Sequence, residues 1–131
     1  MLEKALTNYL LKHNELKAIH KGRVCAGIAP EKWEAPYMTL FLISNPPEMR
    51  RLGRPVPRIQ ISHFAKTYGQ VRQMADLTIQ AIDGFSGIIV GVSDIKVIQS
   101  ISEDPEVMYE NDTGLYHCPV DFRIILRKGG E

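Results

Sequence analysis

The sequence predicts an α+β fold, a mostly antiparallel β-sheet of four to five strands packed against two α-helices, in one domain spanning residues 1–131. Three observations predict it. Several short runs alternate apolar and polar residues with the period of a half-buried strand. Two other stretches carry apolar residues at helical spacing. The strand-like runs also follow one another without an intervening helix, which argues for antiparallel neighbours rather than the helical crossovers of a parallel sheet.

The elements follow in chain order. Leu2, Ala5, Leu6, Tyr9 and Leu10 stand at i, i+3, i+4 spacing and predict a first helix over 2–13. Asn14 is placed to cap a short second piece, Glu15 to His20, which Gly22 ends. Arg23–Ala26 reads as a short strand. Pro36 then precedes Tyr37–Ile43, a nearly continuous apolar run that suits a strand covered on both faces.

The segment from Arg58 to Gly84 is the most informative. Ile59, Ile61 and His63 share one side of an extended chain and Arg58, Gln60 and Ser62 the other. Thr67 and Gln70 have the spacing of a capping box. Val71, Met74, Ala75, Thr78, Ala81 and Ile82 then form an apolar helical stripe opposite Arg72, Asp76, Gln80 and Asp83, and Gly84 is the expected stop. Ile88–Val92 and Ile95–Ile101 read either as one bent strand or as a hairpin. In the last strand Val120, Phe122, Ile124 and Leu126 alternate with Asp121, Arg123 and Arg127.

Two segments stand outside this scaffold and are expected to be long loops, at 44–57 and 102–114. Residues 44–58 contain four prolines and four arginines, which rules out a regular helix or a central strand. Residues 102–114 carry Glu103, Asp104, Glu106, Glu110 and Asp112 beside the turn-forming Pro105 and Asn111–Gly114. They are the extremes of a wider asymmetry behind a net charge of +1. Residues 1–63 hold 10 Lys and Arg against 5 Asp and Glu, whereas residues 64–131 hold 6 against 10. Opposed patches of this kind suit head-to-tail contacts between copies.

The chemistry of an enzyme is not visible. Cys25, Cys118, His63 and His117 are metal-ligating residue types, but none has C-x-x-C or H-x-x-x-H spacing, so no metal site is expected. His63, on the apolar side of its strand, reads as a core histidine rather than a base. There is no nucleophile elbow, and Gly84, Gly87 and Gly91 do not lead into a Lys-Ser/Thr helix start, so no catalytic residue and no cofactor is expected. Arg50, Arg51, Arg54 and Arg58 could hold phosphates, yet no aromatic is interleaved within 44–58 to stack on bases. Protein contact is the better use of the cluster. No run of about 18 apolar residues would span a bilayer, and Glu3, Lys4 and Asn8 interrupt any signal-like N-terminus. No membrane partner is expected.

Three stretches carry a family resemblance: the GRVCAGIAPEKWEAPYMTLFLIS entry to the apolar strand, the QISHFAKTY join at Gln60–Tyr68, and the DTGLYHCPVDFRI closing strand at Asp112–Ile124. With them nearly the whole chain resembles the tail-completion, or tail-terminator, proteins of long-tailed (siphovirus-type) bacteriophages and prophages. The resemblance implies a non-enzymatic α+β virion subunit, without cofactor, that forms a ring, typically a hexamer, on the head-proximal end of the tail tube. Such a ring ends tube polymerisation and offers a surface to the head connector or completion protein, with DNA only passing through its channel. It implies assembly in the host cytoplasm and a place in the virion tail. The alternatives are a head-completion or connector protein of the neck, or a non-phage binding domain. On the ring reading, Arg50, Arg51, Arg54 or Arg58 of one subunit is expected to face Glu103, Asp104, Glu106 or Glu110 of the next; the alternative is that the arginine loop faces the tube or connector and leaves the ring contact to apolar strand edges.

Overall fold

The computed structural model describes residues 2–44, 58–82, 87–89, 95–102 and 106–127. Among the described residues three helices, α1 (Leu2–Lys12), α2 (Asn14–His20) and α3 (Tyr68–Ile82), pack on one sheet. Its strands are β1 (Val24–Ala26), β2 (Tyr37–Ser44), β3 (Arg58–Ala65), β4 (Gly87–Ile89), β5 (Ile95–Ser102), β6 (Met108–Glu110) and β7 (Leu115–Arg127). The order across the sheet is β1-β2-β3-β7-β5-β4, with β6 also paired to β7. Every pairing is antiparallel except β1 with β2. The α+β class is therefore as expected. The element count is larger, because three of the seven strands have only three residues and the N-terminal helical region is two helices.

The register explains the core. Met38 and Leu40 of β2 align with His63 and Ile61 of β3, which in turn align with Cys118 and Val120 of β7. These side chains, with Ile59, Phe122 and Ile124, form the sheet's contribution to the core. Leu6, Leu10 and Leu16 from α1 and α2, and Val71, Met74, Ala75 and Ile82 from α3, close over them. The helical stripe read from spacing is thus the buried stripe. The Tyr9 hydroxyl donates to the Ala81 carbonyl at 3.0 Å and ties α1 to α3.

Local signals hold with small shifts. The Thr67 hydroxyl accepts from the Gln70 N–H at 3.2 Å, the first half of the expected capping box. For α2 the cap is His13 rather than Asn14: its Nδ1 accepts from the Leu16 N–H at 3.3 Å. Lys21 and Gly22 end that helix at positive φ. His20 is fully buried there, with Nε2 donating to the Leu10 carbonyl at 3.1 Å and Nδ1 accepting from the Gly22 N–H at 3.0 Å.

Three expectations are corrected, and one open alternative is decided. The apolar run 37–43 is not covered on both faces, since Phe41, Leu42 and Ile43 are exposed. The last strand begins at Leu115, well before Val120, and runs through Pro119. A proline is tolerated in this central strand because residues 118–121 fall between the β6 and β5 pairings, where that side of β7 has no partner among the described residues. The segment 102–114 is not all loop: β6 lies within it. Of the two readings for 88–101, the antiparallel β4–β5 pairing is a hairpin. Gly84, Val90–Val92, Ser93 and Asp94 lie outside the described residues, as does most of the 44–57 loop.

Candidate interaction surface

Helices cover one face of the sheet. The other face carries Tyr37, Thr39 and Phe41 of β2, Arg58, Gln60, Ser62 and Phe64 of β3, and His117, Pro119, Asp121 and Arg123 of β7, because these alternate with the core residues. Cross-strand pairs make this face two-part. At one end Tyr37 stacks on Phe64, with centroids 4.7 Å apart, and Phe64 stacks on His117 at 4.4 Å with planes within 10°. Trp33 extends the row to Tyr37 at 6.3 Å. At the other end the Arg58 guanidinium donates to the Asp121 carboxylate at 2.7 Å, and Gln60 Nε2 donates to its second oxygen at 3.1 Å.

A cleft of about 240 Å³ opens on this face, lined by Gly27, Ile28, Ala29, Tyr37, Thr39, Phe41 and Phe64. It arises from topology. Because β1 and β2 run parallel, residues 27–36 must travel back along the strands before β2 can begin, and they do so over this face. Gly27, at positive φ, starts the return and donates to the Leu40 carbonyl at 2.9 Å. Arg23 Nε holds the far end of the loop through the Pro36 carbonyl at 3.0 Å.

A second aromatic group lies beside β6. Tyr116 meets Tyr68 edge-on at 6.0 Å and Tyr109 at 5.0 Å. Tyr68 and Tyr109 are 55% and 54% exposed, and Met108 of the same short strand is 44% exposed. Large apolar area is thus left open next to the acidic turn Glu110–Gly114. Neither aromatic group was singled out from the sequence. Phe64 and His117 stand at the polar positions of their strands, and only the β3–β7 register reveals that they adjoin.

The expected interface residues fall into distinct situations. Arg50, Arg51, Arg54, Glu103 and Asp104 lie outside the described residues. Arg58 is engaged within the same chain by Asp121. Glu106 is exposed. Glu110 is partly turned inward, accepting from the Thr113 hydroxyl at 3.2 Å with His117 Nδ1 at 3.8 Å. Burial pushes the His117 pKa down, and Glu110 opposes that shift. Arg58 and β6 occupy opposite ends of the sheet. β3 starts at Arg58 beside Ser44 and Arg123, and its last residue, Ala65, pairs with Tyr116, the β6-bonded part of β7. The separation along the strands is about 23 Å, seven residues at strand rise.

His63 and Cys118 lie in the core, whereas Cys25 is half-buried. His63 is fully buried, with Nδ1 2.8 Å from the Cys118 carbonyl and Nε2 2.8 Å from the Thr78 hydroxyl. Its Nδ1–H donates to the carbonyl, and burial lowers its pKa to about 4, so near neutrality Nε2 accepts the Thr78 proton. Cys118 points into the core, whereas Cys25 aligns with Thr39 on the opposite face, and burial raises both thiol pKa values. Among the described residues no three His, Cys, Asp or Glu side chains gather as a metal site.

No protein-family model matches the sequence, and no curated protein sequence does. The fold is similar to that of a chain from a solved structure described as the virion of a native gene transfer agent particle. The TM-score is 0.78 at 15% identity, over 97% of this chain and 95% of that one. At this identity the likeness establishes a shared fold.

Proposed function

We propose that the protein is a structural subunit of a phage-type virion, and that within the tail it acts as a terminator. It would form a ring on the head-proximal end of the tail tube, end polymerisation there, and present its other surface to the head connector or completion protein. The observation that carries this reading is the end-to-end fold likeness to a virion chain, which spans nearly all of both molecules. The family-like segments at Gly22–Ser44, Gln60–Tyr68 and Asp112–Ile124 supply the finer assignment.

The physical arrangement suits the role. A terminator needs a rigid body, two dissimilar axial surfaces and a lateral contact that closes on itself. The helix-covered sheet provides the body. The Arg-rich connection leaves one end of it and the acidic turn after β6 lies at the other, so two oppositely charged ends are available for a head-to-tail lateral contact. Termination then requires only that the surface left exposed after binding cannot receive the next tube subunit. No catalytic group or cofactor takes part.

The test uses polymerising tube protein from the same virus. Adding this protein should give tubes of arrested length with extra density at one end. Growth unchanged by its presence, together with binding to isolated head connectors, would favour the neck-protein alternative instead.

A further inference from the structure

We propose that the Arg-rich segment 45–57 of one subunit docks on the tyrosine-and-acid end of the next subunit, formed by Tyr68, Met108, Tyr109, Glu106 and Asp112. This rests on the ring reading above and specifies its lateral contact. Met108 and Tyr109 of β6 and Tyr68 at the start of α3, which meets Tyr109's neighbour Tyr116, form an exposed apolar group, bordered by the exposed carboxylates of Glu106 and Asp112. Lys66 stands at the same end and leaves the balance acidic. The segment is the matching chemistry. It carries Arg50, Arg51 and Arg54 against a single acid, Glu48, and interleaves Met49, Leu52 and Val56. Guanidinium groups pair with carboxylates and lie on tyrosine faces, so one surface can satisfy both parts of such a segment.

Reach decides that the contact is between copies. The segment joins Ser44 to Arg58, both at the far end of the sheet. Tyr109 lies two strands across from β3 and about 23 Å along it. Fourteen peptide steps separate Ser44 from Arg58, so an excursion and return reaches at most about 25 Å at full extension. Only the apex residue could then approach its own subunit's tyrosines, and Arg50, Arg51 and Arg54 could not engage together. A neighbouring copy placed head-to-tail has no such limit. The contact is heterologous, with different surfaces on the two partners, and closes into a ring when the rotation between subunits closes.

The experiment uses the full chain and two charge reversals, Arg50→Glu/Arg51→Glu and Glu106→Arg/Asp112→Arg. Sedimentation velocity reads assembly, and circular dichroism confirms folding of each. Each variant alone should need an about 100-fold higher concentration to assemble, because like charges now oppose one another across the contact. Mixed in equal amounts, the two should assemble together, since every contact in an alternating ring is then complementary. Tyr109→Ala should also weaken assembly. Two variants that assemble like the unaltered protein, or a mixture that stays monomeric while the unaltered protein forms rings, would overturn this contact and leave the ring reading standing. An unaltered protein that stays monomeric at all concentrations, even with tube ends present, would remove both.

Discussion

His63 is completely buried, and its two nitrogens join β3 to β7 and to α3. Thr78 sets how the site tolerates a proton. Its hydroxyl lies 2.8 Å from Nε2 and 3.0 Å from the Met74 carbonyl, so its one hydrogen serves the neutral ring or, if the ring is charged, the carbonyl. Burial nevertheless outweighs these bonds and holds the folded pKa at about 4, against 6.5 for the ordinary group. The unfolded chain therefore takes up this proton first as pH falls. The contribution is complete above about pH 6.5 and is lost progressively towards pH 4, by about 3 kcal/mol in total. His20 and His117, also lowered by burial, act in the same direction. Urea unfolding at pH 7 and pH 5 should show this decline, and His63→Gln should flatten it. An equal decline in the variant would assign the effect to other groups. That His63 belongs to the core was readable from its side of an alternating strand. Its partners were not, because Cys118 comes from 55 residues away through the β3–β7 register.

At the scale of elements, the best-read unit is β3, its cap and α3. Alternation, cap and helical stripe all specify the same structure, and such agreement between local signals makes a segment predictable. Thr67→Ala removes the hydroxyl that accepts from the Gln70 N–H and should cost about 1 kcal/mol of stability, seen as a lower urea midpoint with unchanged slope. Thr67→Ser should restore it, and a midpoint unmoved in Thr67→Ala would show that the cap carries no weight. The β5–β6 region shows why other elements were harder to read. β5 and β6 pair with successive parts of the same strand, β7, and the break between them contains Pro105 and three acids. Proline and charge read locally as loop, and β6 exists because three residues complete a ladder on a distant strand. The exposed end of β2 is the converse case. Phe41, Leu42 and Ile43 read as core from hydrophobicity alone, and it is topology that leaves that end of the sheet uncovered.

Over the whole molecule the organising feature is polarity. An arginine-rich connection leaves one end of the sheet, and an acidic hairpin beside exposed tyrosines occupies the other. The charge asymmetry was visible in the order of residues along the chain. Its separation in space was not, since that depends on β3 and β7 running the full length between the two ends. Opposed charges at the ends weaken with screening, so raising salt from about 0.05 M to 0.5 M should lower the fraction assembled, and an assembly insensitive to salt would point to apolar strand edges as the contact. The most direct measurement of the central claim is native mass spectrometry of the unaltered protein, paired with negative-stain images of the same sample. A terminator ring gives one closed oligomer of fixed subunit number, typically six, seen as rings. A monomer at every concentration, or an open series of lengths without closure, would contradict it.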